Sequence, residues 1–180
     1  MYLENITLIS FGYFDQALLQ IIVPDVSREF SFPVKTKSGN LDLTEFYDPA
    51  RRQYNGTLLL KKMDVEFAAY SSKTLGLFNV DLFIPILTFI FGQAFLNGNT
   101  GIASIYRLSN ERYGIKTDDR ILVERFRKEV IHELGHMFGL IHCSNPVCVM
   151  RSSTYVEDID QKEHSLCPSC THQLECSMKT

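Results

Sequence analysis

The sequence predicts an α/β (α+β) fold: a twisted mixed β-sheet with helices behind it, a long helix bearing a metal-ligand motif, and a small cysteine-rich segment at the C-terminal end. Three observations carry this expectation. Strand-like apolar runs alternate with helically spaced apolar residues along the first part of the chain, the pattern of a layered α/β domain. Residues 132–142 read H-E-x-x-H-x-x-G-x-x-H. All five histidines and all five cysteines lie between His132 and Cys176. Core packing does not explain that segregation, whereas metal chemistry in the last third of the chain does.

Composition bounds the function. A chain of 180 residues, 45% hydrophobic and 22% charged, suits one globular domain with a sizeable core. The net charge of −3 offers no basic excess, so neither nucleic acid nor an anionic membrane surface is an expected partner. The longest apolar stretch, residues 82–91, contains Pro85 and falls short of the ~20 residues of a membrane helix. It reads instead as buried strand. The start, Met1-Tyr2-Leu3-Glu4-Asn5, lacks the basic region of a secretory leader, so a cytoplasmic location is expected. No interface signature appears, and a monomer is the default.

The elements follow in order. Residues 6–12, Ile-Thr-Leu-Ile-Ser-Phe-Gly, are rich in β-branched and apolar side chains and read as a buried strand. Phe14, Leu18, Leu19, Ile22 and Val26 fall at helical spacing, with Pro24 expected to kink or restart that helix. Residues 32–36 read as a short strand and 37–40 as a turn. From Arg51 to about Tyr70 the pattern is helical, with Tyr54, Leu58, Leu59, Met63 and Phe67 as the apolar face and Gly56 as a weak point. Strands follow near 75–80, 88–95 and 101–108, and Asn97-Gly98-Asn99 signals a hairpin between the last two. Thr117-Asp118-Asp119 reads as a helix start, a capping hydroxyl ahead of two carboxylates that favour the positive end of the dipole. That helix should run from about Asp118 to Phe138, packing Leu122, Phe126, Val130 and Met137 on the sheet.

The histidine motif names a reaction class. His132 and His136, four residues apart, share one helix face. His142 cannot join them on a straight helix, and Gly139 can supply the required turn because it accepts positive φ. Three imidazoles leave a fourth zinc position for water, whose pKa falls to about 7. Glu133 is placed to act as general base and then to pass the proton to the leaving amine.

The cysteines suggest a second metal. Cys143 and Cys148 form one close pair, and Cys167 and Cys170 form a C-x-x-C pair, the donor arrangement of a structural four-thiolate zinc. Two disulfides would use the same residues, but a reducing cytosol disfavours them. Cys176 reads as a thiol of a C-terminal helix outside the site, with an exchange for Cys170 left open. His164 and His172 read as surface residues.

Residues 132–170 resemble the archaemetzincins, a metzincin branch whose pattern runs H-E-x-x-H-x-x-G-x-x-H-C, four residues, C-x-M, a loop, and C-x-x-C. His132, Glu133, His136, Gly139, His142, Cys143, Cys148, Met150, Cys167 and Cys170 supply every element. Softer similarity extends upstream through Arg52-Gln53-Tyr54, Asp81-Leu82, Phe91-Gly92-Gln93-Ala94 and Arg107-Leu108. The resemblance implies a metzincin-like zincin spanning residues 1–180. It would have an upper lobe (1–139) carrying sheet and active-site helix, a lower lobe (140–180) holding the structural zinc, and a peptide cleft between. It implies two Zn²⁺ per chain, one catalytic and one structural. Met150 would be the Met-turn residue beneath the imidazoles, and the strand near 101–108 would be the sheet edge that pairs with substrate. Two departures stand out. Ser152 occupies the position where some metzincins place a zinc-touching tyrosine, and Tyr155 is too far along to replace it. Leu166 stands where an aromatic is common. No pro-segment is evident.

The expected function is that of a zinc-dependent metallopeptidase acting on a peptide or protein. The alternative is a zinc-stabilised peptide-binding protein with a silent or latent three-histidine site, for which an intact Glu133 has no use. A nucleic-acid zinc ribbon built on the cysteine pairs conflicts with the acidic charge balance.

Overall fold

The computed structural model describes residues 3–178, so Met1 and Tyr2 of the N-terminal stretch lie outside the described residues. Its strands are β1 (Asn5–Phe11), β2 (Val34–Gly39), β3 (Tyr47–Asp48), β4 (Gln53–Asn55), β5 (Ser72–Phe78), β6 (Leu82–Ile84), β7 (Leu87–Ile90), β8 (Gly92–Ala94) and β9 (Thr100–Ser104). Its α-helices are α1 (Gln16–Phe30), α2 (Gly56–Phe67), α3 (Asp119–Met137), α4 (Val156–Asp160) and α5 (Pro168–Met178). Five strands form the main sheet in the order β2-β1-β5-β9-β8, parallel except for β8, which runs antiparallel to β9. A small second sheet has the order β3-β4-β6-β7.

Burial explains the layering. Every residue of β1, β5 and β9 is buried, as expected of strands covered on both faces. One face contributes Ile6, Leu8, Leu75, Leu77 and Ala103 to a core shared with α1 and α3. The other contributes Ile9, Phe11, Phe78 and Ile102 to a second core with Leu59, Leu60 and Met63 of α2 and Leu82 of the small sheet. The residues after Gly139 belong to the first core: Val149, Met150, Ile159, Leu166 and Leu174 pack there with α1 and α3. Arg125 of α3 ties this segment down. Its guanidinium donates two bonds of 2.7 Å to Asp160 and bonds of 2.8 Å to the Leu108 carbonyl and to Asn110.

Several expectations need correction. The helix predicted over 51–70 starts only at Gly56, because Asn55 caps it with a side-chain bond to the Leu58 amide; Leu58 itself faces out, 47% exposed. Pro24 does not restart the helix: α1 runs on through it, with the proline on the exposed side. The cap of α3 is Asp118, whose carboxylate accepts from the amides of Arg120 and Ile121, while Thr117 bonds Glu111. The apolar run 82–91 is not a buried strand. It is the β6–β7 hairpin, with Leu82 and Phe83 inside and Ile86 86% exposed.

The sheet edge also differs from the expectation. The strand predicted over 101–108 ends at Ser104, a 3-10 turn takes Tyr106–Leu108, and β9 is interior, flanked by β5 and β8. The hairpin at 97–99 folds β8 back along β9, so β8 is the edge, with Asn97 at φ +54° in its turn.

Candidate metal centre

The histidines converge because the helix stops where it does. His132 and His136 sit one turn apart on α3, with their Nε2 atoms 3.1 Å apart. Then Gly139, at φ +91°, reverses the chain. Its amide donates to the His136 carbonyl and that of Leu140 to the Gly135 carbonyl, both at 2.9 Å, closing a Schellman cap. The hairpin tip docks on the same end, the Asn97 amide donating to the His136 carbonyl at 2.9 Å. The turned chain delivers His142 to the other two rings, and one ligand nitrogen from each of the three lies within 4.8 Å of the others.

The set fits a metal. The Nδ1 atoms of His132 and His136 lie 2.8 Å from the carbonyls of Val149 and Leu140, an arrangement that protonates Nδ1 and frees Nε2. Burial lowers the pKa of all three imidazoles, most for His132, so they are neutral near pH 7. Glu133 lines the same cleft as the three histidines, and its Oε2 is buried. Gly92 of the edge strand lies against the Glu133 side chain.

Two groups absent from the sequence reading complete the floor. Glu129, one helical turn before Glu133 and 4% exposed, makes a hydrogen-bonding contact with it. Burial first, and then the Glu129 carboxyl, raise the Glu133 pKa well above the usual carboxylate range. Lys162, 3% exposed, donates to the carbonyls of Val149 at 3.1 Å and Arg151 at 2.8 Å and faces both carboxyls. The Val149 carbonyl therefore serves His132 and Lys162 together. The spacing of Glu129 four before Glu133 was visible in the sequence. Nothing local marked Lys162.

Met150, fully buried, packs beneath the motif. A Cβ on Gly135 would collide with its sulfur and stand 3.0 Å from its terminal methyl. Gly135→Ala is therefore expected to destabilise by about 1–3 kcal/mol, reversing the usual helix gain of such a change. Chemical denaturation checks this; an unchanged or raised midpoint would show that Met150 does not hold that position.

The four cysteines predicted to pair gather as a second group, Cys143, Cys148, Cys167 and Cys170. The Cys143–Cys167 and Cys148–Cys170 sulfurs are each 3.8 Å apart. Thiolates at the corners of a tetrahedron around zinc, with Zn–S near 2.3 Å, stand about 3.8 Å apart, whereas a disulfide needs about 2.05 Å. The Cys170 amide holds the Cys167 thiol at about 7, which favours a thiolate. Cys176 lies on α5, exposed and outside the four. His164 is half-exposed and His172 exposed.

A cleft of about 560 Å³ runs past the three histidines, lined by β8, the β6–β7 hairpin, α3 and residues 152–155. The sequence profile of peptidase family M54 matches residues 21–176. The archaemetzincin of Thermococcus kodakarensis is 37% identical over 176 residues, 94% of each chain. The chain belongs to peptidase family M54, the archaemetzincins. Solved relatives agree with this archaemetzincin in fold. The Methanopyrus kandleri archaemetzincin superposes with a TM-score of 0.86 at 31% identity, over 99% of this chain and 97% of that one. A zinc-dependent peptidase of Methanocorpusculum labreanum gives 0.81 at 30% identity, over 94% of this chain and 100% of that one. The family is one of zinc metallopeptidases, and the metzincin-like mixed α/β fold expected from the motif is the one observed. No helix among the described residues is long and apolar enough to cross a membrane.

Proposed function

We propose that this archaemetzincin hydrolyses peptide bonds with a zinc ion held by His132, His136 and His142 and with Glu133 as general base. The observation that carries this reading is the convergence of three neutral imidazoles on one cleft that Glu133 also lines. A zinc ion held by these three imidazoles would supply Lewis acidity, polarising a carbonyl and acidifying a water. Glu133 takes the proton of the attacking water and delivers it to the departing amine. Gly139 sets the turn that admits His142, and Met150 supports the rings from below as the Met-turn residue. β8 offers its free edge to the backbone of an extended substrate, which is a peptide or protein.

Cys143, Cys148, Cys167 and Cys170 hold a second, structural zinc that fixes the segment just after His142. The protein is a single domain with upper (1–139) and lower (140–180) lobes. Four thiols kept as ligands suit a reducing cytoplasm, and the protein acts as a monomer.

Elemental mass spectrometry tests the two-metal reading. About two zincs per chain are expected in replete protein, and one or none in a Cys143→Ala/Cys148→Ala variant. A single zinc lost with the cysteines would leave the three-histidine site without metal. A hydroxamate ligand should compete with peptide for the open position.

Acid should release the histidine-bound metal late. Each imidazole must be neutral to bind, and burial holds all three below the ordinary value of about 6.5. Protons therefore compete less well here than at an exposed histidine site. Zinc should be retained as pH falls through about 6.5 and lost only below it, read by a fluorescent metal indicator. Release already near pH 7 would contradict the assigned ring environments.

A further inference from the structure

We propose that the cleft selects peptides by large apolar side chains next to the scissile bond, and that the β6–β7 hairpin, Leu87 above all, is the selecting wall. This inference rests on the peptidase reading above. It starts from a placement that packing alone does not explain. The apolar run 82–91 leaves Leu87 48% exposed, and that side chain lines the cleft. Around the same concavity stand Leu96, Ile141 and Tyr155, 57%, 64% and 63% exposed. Single exposed apolar residues need no explanation, but several gathered about one cleft mark a binding surface.

The distribution of charge points the same way. Among the described residues lining the cleft, the Asp, Glu, Lys and Arg side chains are Glu129, Glu133 and Lys162 alone. Each is under a tenth exposed and sits on the floor, where Lys162 is occupied by two backbone carbonyls and the carboxyl pair. The walls therefore present no counter-charge to an entering Asp, Glu, Lys or Arg, whose burial without a partner is costly. Arg51 is engaged behind the hairpin, donating to the Leu87 carbonyl at 3.2 Å and lying over the Phe83 ring. Gln53 donates to the Thr88 carbonyl at 2.9 Å. The wall is thus braced by the small sheet before any ligand arrives. A peptide extended along β8 turns alternate side chains in opposite directions, so one set meets this wall.

The test uses the full zinc-loaded chain and two peptide series with Leu, Phe, Asp or Lys beside the central bond. In one series that bond is a reduced, non-hydrolysable amide, and affinity is read by calorimetry. In the other it is an ordinary amide, and cleavage is read by mass spectrometry. Leu and Phe analogues should bind at least about tenfold more tightly than Asp and Lys analogues, the effect of burying one large apolar side chain. Leu87→Lys, at an exposed position that should leave the melting temperature unchanged, should erase that preference and favour the Asp analogue. Equal or tighter binding of charged analogues to the wild type, or an unchanged ranking in Leu87→Lys, would overturn the proposal. The ranking without any cleavage supports the selection and counts against the catalytic reading. Cleavage without the ranking overturns the selection alone.

Discussion

Glu133→Ala is expected to lower kcat by about 10²- to 10⁴-fold while the protein keeps both zincs and its fold. The size follows from what the carboxyl does. It lines the cleft beside the three rings, next to His132 in the chain. No other group is equivalently placed, since Glu129 lies a full helical turn away and Lys162 is already engaged. The change removes no ligand and no cap, and it relieves a buried carboxyl crowded by another. Folding stability should therefore hold or rise slightly. Kinetics on any cleaved peptide, with metal content measured alongside, check this. A zinc-replete variant cleaving at the wild-type rate would remove Glu133 from the mechanism.

Cys148→Ala should have the largest effect on stability. Cys148 is the most buried of the four thiols, 1% exposed, and its sulfur also accepts from the Cys167 amide at 3.4 Å. Structural zinc contributes about 10–16 kcal/mol in small zinc-dependent folds. Here the segment also shares the main core, so part of its packing survives the loss of metal. A net loss of about 5 kcal/mol is expected, among the largest single-site effects. At roughly 2–4 °C per kcal/mol for a chain of this size, melting should fall by about 10–20 °C. The damage should reach the other site, because the Cys143 amide donates to the Met150 carbonyl and His142 immediately precedes it. An unchanged melting temperature in the variant would mean that the cysteines hold no structural metal.

The convergence of the three histidines was legible because its determinants are local. The three histidines and Glu133 fall within eleven residues, and helix periodicity with one glycine turn suffices to bring them together. The bounds of α3 were readable within a residue for the same reason. The edge strand was not legible, because strand order is a property of the whole sheet. Only the folding back of residues 92–94 along β9 makes β9 interior. The early start assigned to α2 has a different cause. Tyr54 and Leu58 continue the apolar spacing in both directions, yet Asn55 caps the helix between them and Leu58 ends outside. The run 82–91 defeated a rule that equates apolar runs with burial: Leu82, Phe83 and Phe91 are buried, but Ile86 and Leu87 at the hairpin turn are exposed. Lys162 reaches the site from a turn thirty residues beyond His132, and no spacing pattern announces such a group.

Incubation of the zinc-loaded protein with a broad peptide mixture, with and without a chelator, tests the central claim most directly. New peptide termini should appear with metal, vanish on chelation and return when zinc is restored. A preparation holding two zincs per chain that generates no new termini would contradict the account.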